Sequence, residues 1–231
     1  MEMTLFDEKM KLADLIRANY HLVLTLPRFG IKLGFGEKTV AEVCAGHGIP
    51  ADFFLLVCNV YSFDSYVPDN GAILNTDMGF LVPYLLASHN YYLNTQLPHI
   101  EQHLLKIAEE EPSSHSAILK RFFKEYLDDV AMHFAYEENQ VFPYILSLQK
   151  RHRVPDYRIS TFSENHTNIE DKLNDLSQII FKYLPEKLSD EESIGMVSDL
   201  MELLSDLNKH SMIEEKILVP YVQFLENNCN A

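Results

Sequence analysis

The chain has 231 residues, of which 47% are apolar and 23% charged, and its formal net charge is −15. At about 100–200 residues per domain, that is one domain or two with ample length for a buried core. So acidic a surface excludes nucleic acid as the main partner, because phosphate binding needs a basic footprint, and it disfavours an anionic membrane surface.

In chain order, the start carries Glu2, Asp7 and Glu8 and no basic run, so no secretory leader is expected. Apolar spacing predicts a helix over 12–26, followed by a loop over 27–36. Residues 40–60, centred on Gly46-His47-Gly48, predict a helix–turn–helix. Its second half, Ala51-Asp52-Phe53-Phe54-Leu55-Leu56-Val57, offers one acid and several hydrophobes. That composition fits a packed helical subdomain better than a reader of a phosphate groove. The polar, turn-rich stretch 65–75 reads as a linker. Cys44, Cys58 and Cys229 have no metal-ligand spacing, which fits a reduced, cytoplasmic protein. No apolar run approaches the roughly 20 residues that span a bilayer.

From Asp77 onward four long helical patterns follow, over 77–109, 115–149, 158–184 and 190–227. The breaks hold Pro112, Pro155 and Pro185 together with N-cap residues such as Ser114, Asp156 and Ser189. Each pattern carries one inward apolar stripe, as Ile118, Phe122, Tyr126 and Val130 illustrate. Short connections make neighbours antiparallel. The expected fold is therefore all-α: an up-down four-helix bundle over 77–227, preceded by a small helical N-terminal domain over 1–66.

An internal repeat carries the chemistry. His133-Phe-Ala-Tyr-Glu137-Glu138, ending in Pro143-Tyr144, matches His210-Ser-Met-Ile-Glu214-Glu215, ending in Pro220-Tyr221, without a gap. The offset is 77 residues, and His89 and His166 obey it too. Each copy is thus a helix with one His followed by a helix with His-x-x-x-Glu. Residues i and i+4 stack on one helix face, so each His and its Glu project side by side. Inward groups on facing helices of a bundle converge and can build a metal site. Four imidazoles and two carboxylates are too many for one tetrahedral ion but suit two ions bridged by carboxylates. The donor mix suits iron best, with manganese or zinc as other candidates. The predicted metal ligands are His89, His133, Glu137, His166, His210 and Glu214.

The remaining histidines read as structural. Glu170 follows His166 by one turn, but Leu93 occupies the matching place after His89, so Glu170 is placed outside the ligand set. His99 and His103 form an i,i+4 pair about 21 Å along the axis from His89, too far to share its ion, and read as a surface pair. His21, His47, His115 and His152 lack partners in the repeat. Tyr91, Tyr92 and Tyr136 neighbour the ligands and are expected to pack in the core.

With these residues placed, the chain resembles the haemerythrin-like HHE cation-binding domains, and within them the repair-of-iron-centres di-iron proteins. The N-terminal elements Lys11-Leu-Ala-Asp-Leu-Ile, Phe29-Gly-Ile31, Lys38-Thr-Val-Ala-Glu-Val and Gly48-Ile are similar to that family's small domain. The resemblance implies that His89, His133, His166 and His210 are terminal ligands, and that Glu137 and Glu214 bridge two iron ions with an oxo bridge. It implies a role in nitrosative or oxidative stress: repair of iron–sulfur clusters in client proteins, or nitric oxide binding and reduction. The family's adjacent Cys-Cys is replaced by Gly34-Phe35, and neither Cys44 nor Cys58 substitutes for it. That departure favours a second expectation, a sensor or store binding dioxygen, nitric oxide or iron without turnover.

Overall fold

The computed structural model describes residues 4–110, 114–152, 156–165, 169–185 and 187–228. Among them the secondary structure is helical, with a single β-bridge between Lys11 and Thr39. No helix among the described residues is long and apolar enough to cross a membrane.

The chain forms two compact units. The first comprises residues 1–88, 144–163 and 209–231. Its N-terminal part holds α1 (Leu12–Ala18), α2 (Val40–His47), α3 (Ala51–Ser62) and α4 (Asn70–Leu74). The helix expected over 12–26 stops early. Asn19 is extended, and its side chain accepts a hydrogen bond from the His21 amide, opening two short 3-10 turns at Tyr20–Leu24 and Leu26–Phe29. Pro27 suits the start of the second turn, and left-handed Gly30 ends it.

Thr39 caps α2 in a reciprocal box with Glu42: the Glu42 amide donates to Thr39 Oγ1 (3.3 Å), and the Thr39 amide donates to Glu42 Oε2 (2.8 Å). α2 ends at left-handed Gly48, and α3 follows, as the helix–turn–helix pattern predicted. α3 is buried on almost every side, from Phe53 to Tyr61. Phe29 packs its ring against Phe53, Phe54 and Tyr84. The stretch read as a linker contains α4, because Asp69 accepts from the Ala72 amide at 2.7 Å and caps a single turn.

The later segments of this unit are tied down by side chains. Tyr144 donates to Glu226 Oε1 (2.6 Å), which also accepts from the Ile159 amide (2.8 Å). Lys216 donates to the carbonyls of Asp64 (2.6 Å) and Tyr66 (3.1 Å), and Lys209 pairs with the Asp64 carboxylate.

The second unit comprises residues 89–143 and 164–208. It holds α6 (Leu97–Glu110), α7 (Ser114–Tyr136), α10 (Ile169–Tyr183) and most of α11 (Asp190–Ile213). One core joins all four: Leu97, Ile100 and Leu104 from α6, Phe123, Val130 and Phe134 from α7, Leu173 and Ile180 from α10, and Leu200, Leu203 and Leu207 from α11. Cross-helix bonds fix the direction. Tyr92 donates to the Asp206 carbonyl (3.1 Å), His103 meets Asp199 (3.1 Å), and Lys106 meets Glu192 (2.7 Å). As one chain number rises the other falls, so α6 and α11 run antiparallel. These four helices are the up-down arrangement that the apolar stripes predicted.

The helical runs expected from 77 to 227 are interrupted by wide π turns that periodicity did not reveal. α5 (Leu81–Tyr91) passes into α6 through Tyr92–Gln96. α7 passes into α8 (Phe142–Gln149) through Glu137–Val141, and α11 into α12 (Val219–Asn228) through Glu214–Leu218. A proline stands two residues past each π turn, at Pro98, Pro143 and Pro220. Proline has no N–H for the i−4 carbonyl, and its ring crowds that carbonyl, so a wider turn before it is favoured.

Candidate metal centre

Two of the three π turns begin at a predicted ligand. Glu137 and Glu214 are each the first residue of one, four residues after His133 and His210 at the ends of α7 and α11. π turns inside α-helices are frequent at functional sites. Here the same device occurs at the same place in both copies of the repeat.

Within the second unit, Glu137 is fully buried and lies between two imidazoles. Its Oε2 is 3.0 Å from His89 Nε2, and its Oε1 is 3.0 Å from His133 Nε2. His89 is buried too, with its ring stacked on Phe134 (centroids 3.9 Å apart, planes 10° apart) and near Phe142. Its other nitrogen, Nδ1, is 2.9 Å from Glu138 Oε1. A carboxylate only accepts hydrogen bonds, so Nδ1 carries the proton in that contact. In the neutral ring Nε2 then presents a lone pair to the Glu137 oxygen. Two lone pairs at 3.0 Å need a proton shared between the two groups or a cation beside them.

The donor set fits a cation well. Metal bonds of about 2.1 Å place neighbouring ligand atoms of an octahedral ion about 3.0 Å apart. A carboxylate behind a ligating imidazole is the usual support for such a ligand. Glu138 was visible in the repeated motif, but its role was not, because that depends on which ring nitrogen faces which oxygen.

Within the first unit, His210 and Glu214 are both buried, with His210 Nε2 3.2 Å from Glu214 Oε1. The side chains of His89, Glu137, His210 and Glu214 are all buried, and each is of a type that can ligate a metal ion. His133 joins Glu137 by the distance given above. The sixth predicted ligand, His166, lies outside the described residues, as does the side chain of Glu170. Of the three tyrosines, Tyr92 is fully buried and bonded to Asp206, Tyr91 is partly buried against the core, and Tyr136 is 37% exposed. Core packing thus describes the first two but not Tyr136.

The two thiols among the described residues present little reactivity. Cys44 and Cys58 are both buried; burial raises the Cys44 thiol to about 11 and holds the Cys58 thiol well above its ordinary value. Gly34, where the resembled family has a cysteine, has φ +97, a conformation that side-chain-bearing residues rarely adopt.

Residues 84–222, more than half of the chain, match the family described as "Hemerythrin HHE cation binding domain". The chain belongs to that family, and its helical fold and buried histidines and glutamates fit a cation-binding domain. It is also similar to the iron–sulfur cluster repair protein ScdA of Staphylococcus haemolyticus (strain JCSC1435): 20% identity over 187 residues, covering 79% of this chain and 83% of that protein.

Proposed function

We propose that the chain is a non-haem di-iron protein that acts in the repair of iron–sulfur clusters under nitrosative or oxidative stress. His89, His133, His166 and His210 would hold two metal ions, with Glu137 and Glu214 between them. The carrying observation is the pair of fully buried carboxylates, each one helical turn after a histidine and facing its imidazole at 3.0 or 3.2 Å. Buried carboxylates are costly unless a cation or hydrogen bonds compensate them. The similarity to a named iron–sulfur cluster repair protein supports the assignment to repair.

When bound, a pair of redox-active ions supplies electron exchange with a diatomic ligand such as nitric oxide or dioxygen. The chain's residues provide the setting. Glu138 keeps the proton of His89 on Nδ1 and leaves Nε2 for the site. Phe134 and Phe142 flank the His89 ring and exclude water from it. The π turns hold Glu137 and Glu214 at the points where their helices widen.

The test is elemental analysis of purified protein. About two iron atoms per chain are expected, falling in Glu137→Ala and Glu214→Ala variants that retain helical circular dichroism. Full metal content in both variants would refute the assignment.

The replaced Cys pair and the buried, high-pKa thiols favour a second reading, a sensor or store for nitric oxide, dioxygen or iron without turnover. Nitric oxide consumption in the presence of a reductant separates the two. A sensor takes up stoichiometric gas and stops, whereas a reductase continues.

A further inference from the structure

A second cluster of metal-ligating side chains lies on the surface of the second unit. His99 and His103 stand one turn apart on α6, and Asp199 faces them from α11. His99 Nε2 is 3.2 Å and His103 Nδ1 3.1 Å from the same carboxylate oxygen, Asp199 Oδ2. The sequence pairs the two histidines but cannot supply the aspartate, which comes from a helix about a hundred residues away.

We propose that His99, His103 and Asp199 form a separate surface site for a borderline divalent cation, with Zn²⁺ as the ion of choice. Two imidazoles and one carboxylate are a three-ligand zinc set that leaves a position for water. Zinc bonds of about 2.1 Å in tetrahedral geometry put ligand atoms about 3.4 Å apart, within a few tenths of the two His–Asp separations, and all three ligand atoms lie within 4.8 Å of one another. The convergence is built into the helix pair. The Tyr92–Asp206 and Lys106–Glu192 bonds fix the antiparallel register on either side of the cluster.

Gly195, one turn before Asp199, faces the same cluster: a Cβ there would lie 3.6 Å from His103 Cε1, in ordinary contact with the ring. The net charge of −15 favours divalent cations over anions at the surface. His99, His103 and Asp199 are 61%, 29% and 29% exposed at the side chain, so an ion can enter from solvent without opening the core. A bound ion would pin α6 to α11.

The test is calorimetric titration of Zn²⁺ into full-length protein already loaded with iron, with thermal melting alongside. Wild type is expected to take one Zn²⁺ per chain and to melt at higher temperature with zinc than without. His99→Ala and Asp199→Asn, both at solvent-accessible positions, are expected to weaken that binding by roughly tenfold or more and to lose the thermal shift. The zinc response of Glu137→Ala, a change in the buried group, is expected to keep its dependence on His99. Equal zinc binding in wild type and His99→Ala, or zinc uptake abolished only by Glu137→Ala, would overturn the proposal and show the cluster to be an ordinary His–Asp ion pair.

Discussion

Glu138 offers a direct probe of the proposed metal centre, because it touches the site only through His89. Its carboxylate accepts the Nδ1 proton at 2.9 Å, and its side chain is 39% exposed. A hydrogen bond to a charged acceptor contributes about 1.5–3 kcal/mol and a neutral one about 0.5–1.5 kcal/mol. Partial exposure places Glu138 at the lower end of the charged range, near 1.5 kcal/mol, which is about tenfold in an equilibrium constant. Glu138→Ala is therefore expected to weaken metal binding about tenfold. Glu138→Gln retains an acceptor oxygen and loses only the charge, so a loss of about threefold follows. Both are read by competition with a chelator of known affinity. Equal affinities in wild type, Gln and Ala proteins would refute the reasoning, since His89 would then be oriented by its packing on Phe134 alone.

Three further outcomes follow from other parts of the chain. Thr39→Ala removes the cap of α2 and is expected to lower stability by about 1 kcal/mol in urea unfolding; no change would mean that the Lys11–Thr39 bridge holds the helix start by itself. Cys44 and Cys58 should alkylate slowly at pH 7.5 in the folded protein and rapidly in denaturant, as resolved by peptide mass spectrometry, because burial raises both thiols; rapid native labelling of either would contradict that placement. The Asp64 carboxyl is held below its ordinary value chiefly by the hydrogen bond from Lys209. Such a group stabilises the fold above its unfolded pKa and loses that contribution as the pH falls through its folded one. Asp64→Asn should thus cost less than about 1 kcal/mol at pH 7, given its exposure, and nothing at pH 2. A cost that persists in acid would place the effect elsewhere.

Much of the bundle was legible because its helices bury one stripe each. Residues such as Phe123, Val130, Leu203 and Leu207 recur at helical spacing and occupy one core. Of the stripe read as Ile118, Phe122, Tyr126 and Val130, however, only the last two are buried; Ile118 and Phe122 face outward at 42% and 37% exposure, and Phe123 takes the inward place. The ligand candidates came from a different signal, the 77-residue repeat, which singles out six residues among many His and Glu. What stayed hidden depends on geometry that periodicity does not encode. The break at Asn19 comes from a side chain capturing a nearby amide, and α4 comes from a single Asp69 cap. The π turns leave the apolar spacing almost unchanged, although the prolines two residues beyond each were a signal in plain view. Asp199 had no local signal, since only the antiparallel register of α6 and α11 brings it to His99 and His103.

The wide turns also determine where the long helices will breathe. Beyond each one, Pro98, Pro143 or Pro220 leaves the carbonyl four residues earlier, on Asn94, Asn139 or Lys216, without the amide that an α-helix would supply. Local opening favours places where the hydrogen-bonded ladder is thin. Around residues 137 and 214 that thinness sits in the middle of a helix rather than at its fraying ends. In the proposed centre, a cation on Glu137, and likewise one on Glu214, would stitch each ladder from the side-chain side. Stripping them would then soften the two long helices from within, leaving their termini as they were.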